Sequence, residues 1–231
     1  MQVHAGHRQR MKDRFASEGL DHFEEHQVLE MLLYNCIPRA DTNETAHFLL
    51  KRYGSLARVL EAPPEELKKV EGMGEASARY LSFIMAVIRY YQVNRLEKYE
   101  ALNSVEKCGH YLLPYFCGLN NETVFLLCLD AKCKVLSCEF VGEGSINSAA
   151  VPVRRVVEMA LGAKATSVVL AHNHPSGIAV PSDEDKQTTW RVANALSAVE
   201  IHLVDHIVIA DNDFVSMTQS GYYDPSRYQA F

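Results

Sequence analysis

Two histidines one residue apart, His172 and His174, follow a short apolar run at residues 165–171 (ATSVVLA). Such a run reads as a buried strand. Side chains two positions apart on a strand point to the same face, so both imidazoles can converge on one ion. Pro175 and Gly177 then turn the chain, and Ser182 to Asp185 opens a helix that can bring a carboxylate back to the histidines. Two imidazoles, one Asp carboxylate and a water in the fourth position make an open tetrahedral zinc site of the catalytic type. A plainer reading stands beside this one. Ser182-x-x-Asp185 closely resembles a capping box, with Asp in place of the usual Glu or Gln at the third helical position. The two readings are compatible, because a helix N-terminus holds both side chains rigidly.

The elements that must position these residues follow from the surrounding pattern. Residues 123–130 and 134–141 are apolar, β-prone runs separated by Ala131-Lys132-Cys133, which predicts a hairpin. Residues 153–161 read as a helix, 182–199 as another, and 201–210 and 214–217 as strands. Hairpin, helix, strand, helix, strand, strand predicts an α/β domain with a mixed sheet. Upstream the grammar is helical only. Residues 23–34 carry apolar side chains at helical spacing, and the segment ends ahead of Pro38. Asp41 and Thr42 are N-cap candidates for a helix that stops near Gly54. Short helical pieces follow at 55–60 and 64–69, then a longer one at 75–95. We therefore expect an all-helical module over residues 1–100 and an α/β domain over 101–231. The boundary is placed in the polar stretch 94–104.

The string H-x-H-x7-S-x-x-D, met at every position by His172, His174, Ser182 and Asp185, resembles the JAMM (MPN+/JAB) metalloprotease motif. The fuller HNHPSG…PS-x-x-D is similar to the RadC family in particular. So are Glu122 to Asp130, Gly144 to Ser148, Asp205 to Ile209 and the closing F-V-S-M, together with I-P-R-A-D-T and V-E-G-M-G in the N-terminal half. The resemblance thus covers nearly the whole chain and implies a JAMM/MPN-like mixed-sheet α/β domain. It also implies a zinc metallopeptidase that hydrolyses peptide or isopeptide bonds of a protein or peptide substrate. On this resemblance His172, His174 and Asp185 ligate Zn2+, and Ser182 hydrogen-bonds the oxyanion of a tetrahedral intermediate. Glu122, at the start of the first strand, is the general acid/base, with Glu139 and Glu143 as weaker candidates. One departure is present. The family's Pro-Arg-Glu run after G-S-I-N-S reads Pro152-Val153-Arg154-Arg155 here, keeping only the arginine.

The N-terminal half carries a second, different signal. Val70-Glu71-Gly72-Met73-Gly74-Glu75 resembles a helix-hairpin-helix element, whose glycines permit a tight turn and whose amides can hold a phosphate. The resemblance to the RadC family implies a DNA-associated repair or recombination accessory role as the alternative, with DNA bound through Gly72 and Gly74 of this turn. A glycine-containing helix connection used for packing is the plainer account, since Glu71 and Glu75 flank the turn. The basic segment from Arg8 to Arg14 invites the same choice between phosphate contact and a solvated helix face. Trp190, the only tryptophan, is expected in the core.

Composition narrows the classes further. In 231 residues, 48% are hydrophobic and 23% charged, which rules out collagen-like, low-complexity and fully disordered chains. The net charge of -6 gives nucleic-acid binding no overall electrostatic support. Lys and Arg number 14 against 15 Asp and Glu in residues 1–100, and 9 against 14 in the remainder, so any such contact falls to the first half. No apolar run approaches the roughly 18 residues of a membrane span, and the charged N-terminus lacks an apolar signal region. A cytoplasmic protein without membrane contact is expected. The six cysteines include no C-x-x-C pair and are expected to be reduced thiols.

Overall fold

The computed structural model describes residues 6–38, 40–96, 101–144 and 151–228. The chain forms two compact units, 1–88 and 89–231. The first is helical: α1 (His7–Glu18), α2 (Glu25–Leu33), α3 (Thr42–Tyr53), α4 (Leu56–Glu61), α5 (Pro64–Leu67) and the start of α6 (Glu75–Asn94). The helix starts are written in capping side chains. The Asp41 carboxylate accepts the Asn43 amide at 2.9 Å, and Ser55 Oγ accepts that of Arg58 at 3.3 Å. Gly54 ends α3 in the left-handed conformation, at φ 89°. Leu29, Leu33, Leu49, Val59, Leu67 and Leu81 close the core of this unit.

Two arginines of α1, Arg8 and Arg14, are held by contacts within the helical unit. Arg8 donates to the carbonyls of Ile37 (2.8 Å), Pro38 (2.9 Å) and Ala40 (2.5 Å), tying down the chain after α2. Arg14 donates to the His22 carbonyl at 2.6 Å and lies over the Phe23 ring. His26 stacks on His47, with ring centroids 4.5 Å apart.

The second unit, from Arg89 onward, opens with the remainder of α6. It continues with α7 (Val105–Phe116), β1 (Thr123–Leu129), β2 (Val135–Glu143), α8 (Val153–Gly162), β3 (Ser167–Asn173), α9 (Asp183–Ser197), β4 (His202–Ala210) and β5 (Asp213–Ser216). The strands form one mixed sheet in the order β2-β1-β3-β4-β5, in which only β3 and β4 are parallel. Strand alternation sorts the side chains into two layers. Leu126, Cys128, Val168, Leu170 and Val208 pack with Val156 and Ala160 of α8 and with Val192, Ala193 and Leu196 of α9. Leu127, Leu129, Val169, Ala171, Ile207 and Ile209 pack with Leu112 and Phe116 of α7 on the other face. The fold is α/β with an N-terminal helical region, as the residue pattern predicts.

Two expectations need correction. The sequence reading leaves residues 105–116 without an element, yet they form α7. Gly109 and Pro114 are poor helix formers, and here tertiary packing overrides them. A Cβ on Gly109 would lie 2.3 Å from the Phe214 ring, so the glycine lets the helix approach β5. Trp190 is not in the core; it is 47% exposed. The inward stripe of α9 is Asp185, Thr188, Thr189, Val192, Ala193 and Leu196, and position 190 falls outside it. No disulfide joins the six cysteines. Among the described residues, no helix is long and apolar enough to cross a membrane.

Candidate metal centre

The site forms where β3 ends. His172 is the penultimate residue of that strand, paired with Val124 of β1 and Val208 of β4, and is fully buried. His174 lies just beyond, its amide still donating to the Ile209 carbonyl at 2.7 Å. That bond carries the strand geometry one residue further and keeps both imidazoles on the α9 side of the sheet. Gly177, at φ 80°, turns the chain and donates its amide to the His174 carbonyl at 3.1 Å. Ser182 then caps α9, its hydroxyl accepting the Asp185 amide at 3.1 Å.

Asp185 unites the two readings of S-x-x-D. Its Oδ2 accepts the Ser182 amide at 2.7 Å and the Ser182 hydroxyl at 2.8 Å, completing a capping box. The same carboxylate faces both histidines, with Oδ1 3.2 Å from His172 Nε2 and Oδ2 3.4 Å from His174 Nε2. The two Nε2 atoms are 2.9 Å apart. Tetrahedral coordination with bonds of about 2.0–2.1 Å places donor atoms about 3.3 Å apart, so these three residues match the donor spacing of a bound metal. They form a buried to half-buried group able to hold a metal ion.

Proton accounting points the same way. His174 Nδ1 lies 2.9 Å from the Ile178 carbonyl oxygen, which can only accept. Nδ1 therefore carries the hydrogen, and a neutral ring presents a bare Nε2 to the Asp185 carboxylate. Two acceptors in that position repel unless a cation lies between them. A proton is one such cation. The Asp185 hydrogen bond raises the His174 pKa against the opposing effect of burial, helped by the Ile178 carbonyl and the Glu122 charge. Burial alone would raise the Asp185 pKa, but the His172 and His174 hydrogen bonds outweigh it and hold the carboxyl far below its usual range. A metal ion meets the same demand and competes with that proton.

Glu122 stands one residue ahead of β1, half-buried, with its charge felt at His174. Asn173, between the two histidines, faces the opposite side of β3, and its Oδ1 accepts the Thr123 amide at 2.8 Å. That bond pins the start of β1 beside the end of β3 and so brings Glu122 to the site. Glu143 pairs across the ladder with Thr123 and is held by Asn121 Nδ2 at 2.5 Å. Glu139 is opposite Leu126, four residues further along β1 than Glu122 and so about 13 Å away from it. Ser182 Oγ commits its one proton to Asp185. Ser145 to Ser148 of the G-S-I-N-S string lie outside the described residues.

Gly72 and Gly74 belong to the helical unit, and Gly72 lies against Thr45. Gly72 has φ 81°, and a Cβ there would meet Thr45 Oγ1 at 2.1 Å. The Gly74 amide donates to Ser77 Oγ at 2.8 Å. Lys68 bridges Glu65 and Glu75 beside the turn.

His206 is a residue of the site that spacing does not reveal. It lies on β4, fully buried, with Nε2 2.8 Å from His172 Nδ1 and Nδ1 2.6 Å from Thr189 Oγ1. Burial, and the neighbouring His172, keep its pKa well below the usual histidine value, so the ring is neutral. The available signal was the Asp205-His206 pair inside a largely apolar strand run, residues 201–210. Its partner could be known only once β4 was paired with β3.

A mixed five-stranded sheet carrying two histidines at a strand end, and an aspartate on the next helix, defines a JAB-type domain. Residues 102–222 match the family model described as a RadC-like JAB domain. The UPF0758 protein of Aliivibrio fischeri strain MJ11 is 33% identical, over 92% of this chain and 95% of that protein. Its counterpart in Aliivibrio salmonicida is also 33% identical over the same shares. That of Vibrio parahaemolyticus is 31% identical over 91% of this chain and 94% of its own length. The chain belongs to the RadC-like JAB family.

Proposed function

We propose that this protein is a zinc-dependent hydrolase of peptide or isopeptide bonds. The observation that carries the reading is the convergence of His172 Nε2 and His174 Nε2, 2.9 Å apart, on the Asp185 carboxylate, whose Oδ1 and Oδ2 lie 3.2 and 3.4 Å from them respectively. When bound, zinc supplies a Lewis acid that polarises a carbonyl and lowers the pKa of water toward about 7. The protein's own groups do the rest. Glu122 takes a proton from the attacking water on its carboxylate and returns it to the leaving amine. Ser182 holds Asp185 in place, and its hydroxyl stabilises an oxyanion by swinging its proton from Asp185 Oδ2 toward the substrate. His174 stays oriented through Ile178, and the ring of His172 is clamped within the core.

The protein purified with zinc should cleave members of a peptide and isopeptide library. Chelation should abolish that cleavage, and added Zn2+ should restore it. Cleavage that persists unchanged after the metal has been stripped would contradict the proposal.

A further inference from the structure

The buried groups behind the metal centre form an ordered chain whose hydrogens can all be placed. Thr189, on α9, is fully buried, and its Oγ1 lies 2.6 Å from the Asp185 carbonyl oxygen. Two oxygens at that separation need a hydrogen between them, and a carbonyl has none to give. The threonine proton therefore points at Asp185. Oγ1 is then an acceptor toward His206 Nδ1, 2.6 Å away, so that nitrogen carries the hydrogen of a neutral ring. His206 Nε2 is left as an acceptor. It lies 2.8 Å from His172 Nδ1, which must donate to it. In a neutral His172 ring Nε2 is then bare and directed at His174 and Asp185, where a proton or a metal ion can bind.

We propose that Thr189 and His206 form a relay that locks His172 in the tautomer able to bind a metal. This makes both of them positioning residues of the centre. The inference rests on reading the site as a metal centre and extends it to residues that touch no ligand position with their own metal-facing atoms. Its direction is set by the one hydroxyl proton of Thr189. Without that proton's acceptor-donor order, His206 can turn its hydrogen to Nε2 and force the His172 hydrogen onto the atom the metal needs. The oxygen of Thr189 thus acts through two imidazoles. His174 reaches the same tautomer by a separate route, through the Ile178 carbonyl.

The test is Zn2+ affinity by competition with a chromogenic chelator in the full chain. Thr189→Val keeps shape and volume and removes the hydroxyl, and it should weaken zinc binding roughly 10- to 100-fold, the usual cost of losing an outer-shell partner. Thr189→Ser should stay within about threefold of wild type, because it restores the hydroxyl. His206→Gln offers His172 a carbonyl acceptor in place of Nε2 and should likewise stay close to wild type, whereas His206→Leu should not. Nitrogen-15 spectra of the metal-stripped protein read the tautomers independently of affinity. They should show His206 protonated at Nδ1 and His172 protonated at Nδ1. Wild-type binding matched by Thr189→Val, or a His206 hydrogen found on Nε2, overturns the relay while leaving the metal centre standing. Wild-type protein that binds no zinc removes the metal centre and the relay together.

Discussion

Glu122→Gln is expected to lower peptide-bond hydrolysis by about 10²- to 10⁴-fold, the range for loss of a positioned general acid/base. The substitution keeps the size and the hydrogen-bonding reach of the side chain and removes its basicity. Metal content should be unchanged, because Glu122 is not among the three converging donors. The fold should also hold, since Asn173 pins the start of β1. Glu139→Gln is the internal control. It sits four residues along the ladder, opposite Leu126, and should leave the rate within about twofold if acid/base loss alone is what costs the larger factor. The paired comparison of rates and bound zinc checks the assignment. Equal rates for wild type and Glu122→Gln would move the acid/base role elsewhere.

Gly72→Ala is expected to destabilise the helical unit by about 3 kcal/mol. The left-handed backbone at φ 81° costs an L-residue about 1–2 kcal/mol. The added methyl also overlaps Thr45, with Oγ1 at 2.1 Å and Cβ and Cγ2 at 3.1 and 3.2 Å, on a buried helix position. Overpacking of this kind costs about 1–3 kcal/mol. Gly74→Ala makes a sharp contrast, because nothing lies within 4 Å of its added Cβ and its φ is not positive. It should cost less than about 1 kcal/mol. Urea unfolding followed by circular dichroism measures both, and equal midpoints for the two variants would refute the packing account. The contrast also governs any nucleic-acid experiment on this turn. Loss of binding in Gly72→Ala reports unfolding, whereas Gly74→Ala is the informative substitution.

The parts of the site legible in the sequence are those set by local periodicity. His172 and His174 share a face because strand side chains repeat every two residues, and Asp185 is placed by the three-residue step of a capping box. The relation between cap and candidate ligand at Asp185 needed the structure, in which the carboxylate that completes the cap also faces both histidines. Helix α7 was hidden because Gly109 and Pro114 argue against a helix locally, and only the Phe214 ring across the layer explains the glycine. Trp190 went astray because hydrophobicity alone places tryptophan inside, whereas the phase of α9 is set by Thr189, Val192 and Leu196. His206 and Thr189 were not legible as a pair at all. Their meeting depends on β4 pairing in parallel with β3 and on α9 crossing between them, both long-range facts.

The most direct test of the central claim is metal content of protein purified without added metal, for wild type, His174→Ala and Asp185→Ala. Wild type should carry about one zinc per chain, the stoichiometry of a single three-donor site with an open position. His174→Ala should lose it while keeping the fold. Asp185→Ala should lose it and also part of α9's cap, at a cost of about 1 kcal/mol. Wild-type protein free of metal even after zinc is offered, or zinc retained in both variants, would contradict the account.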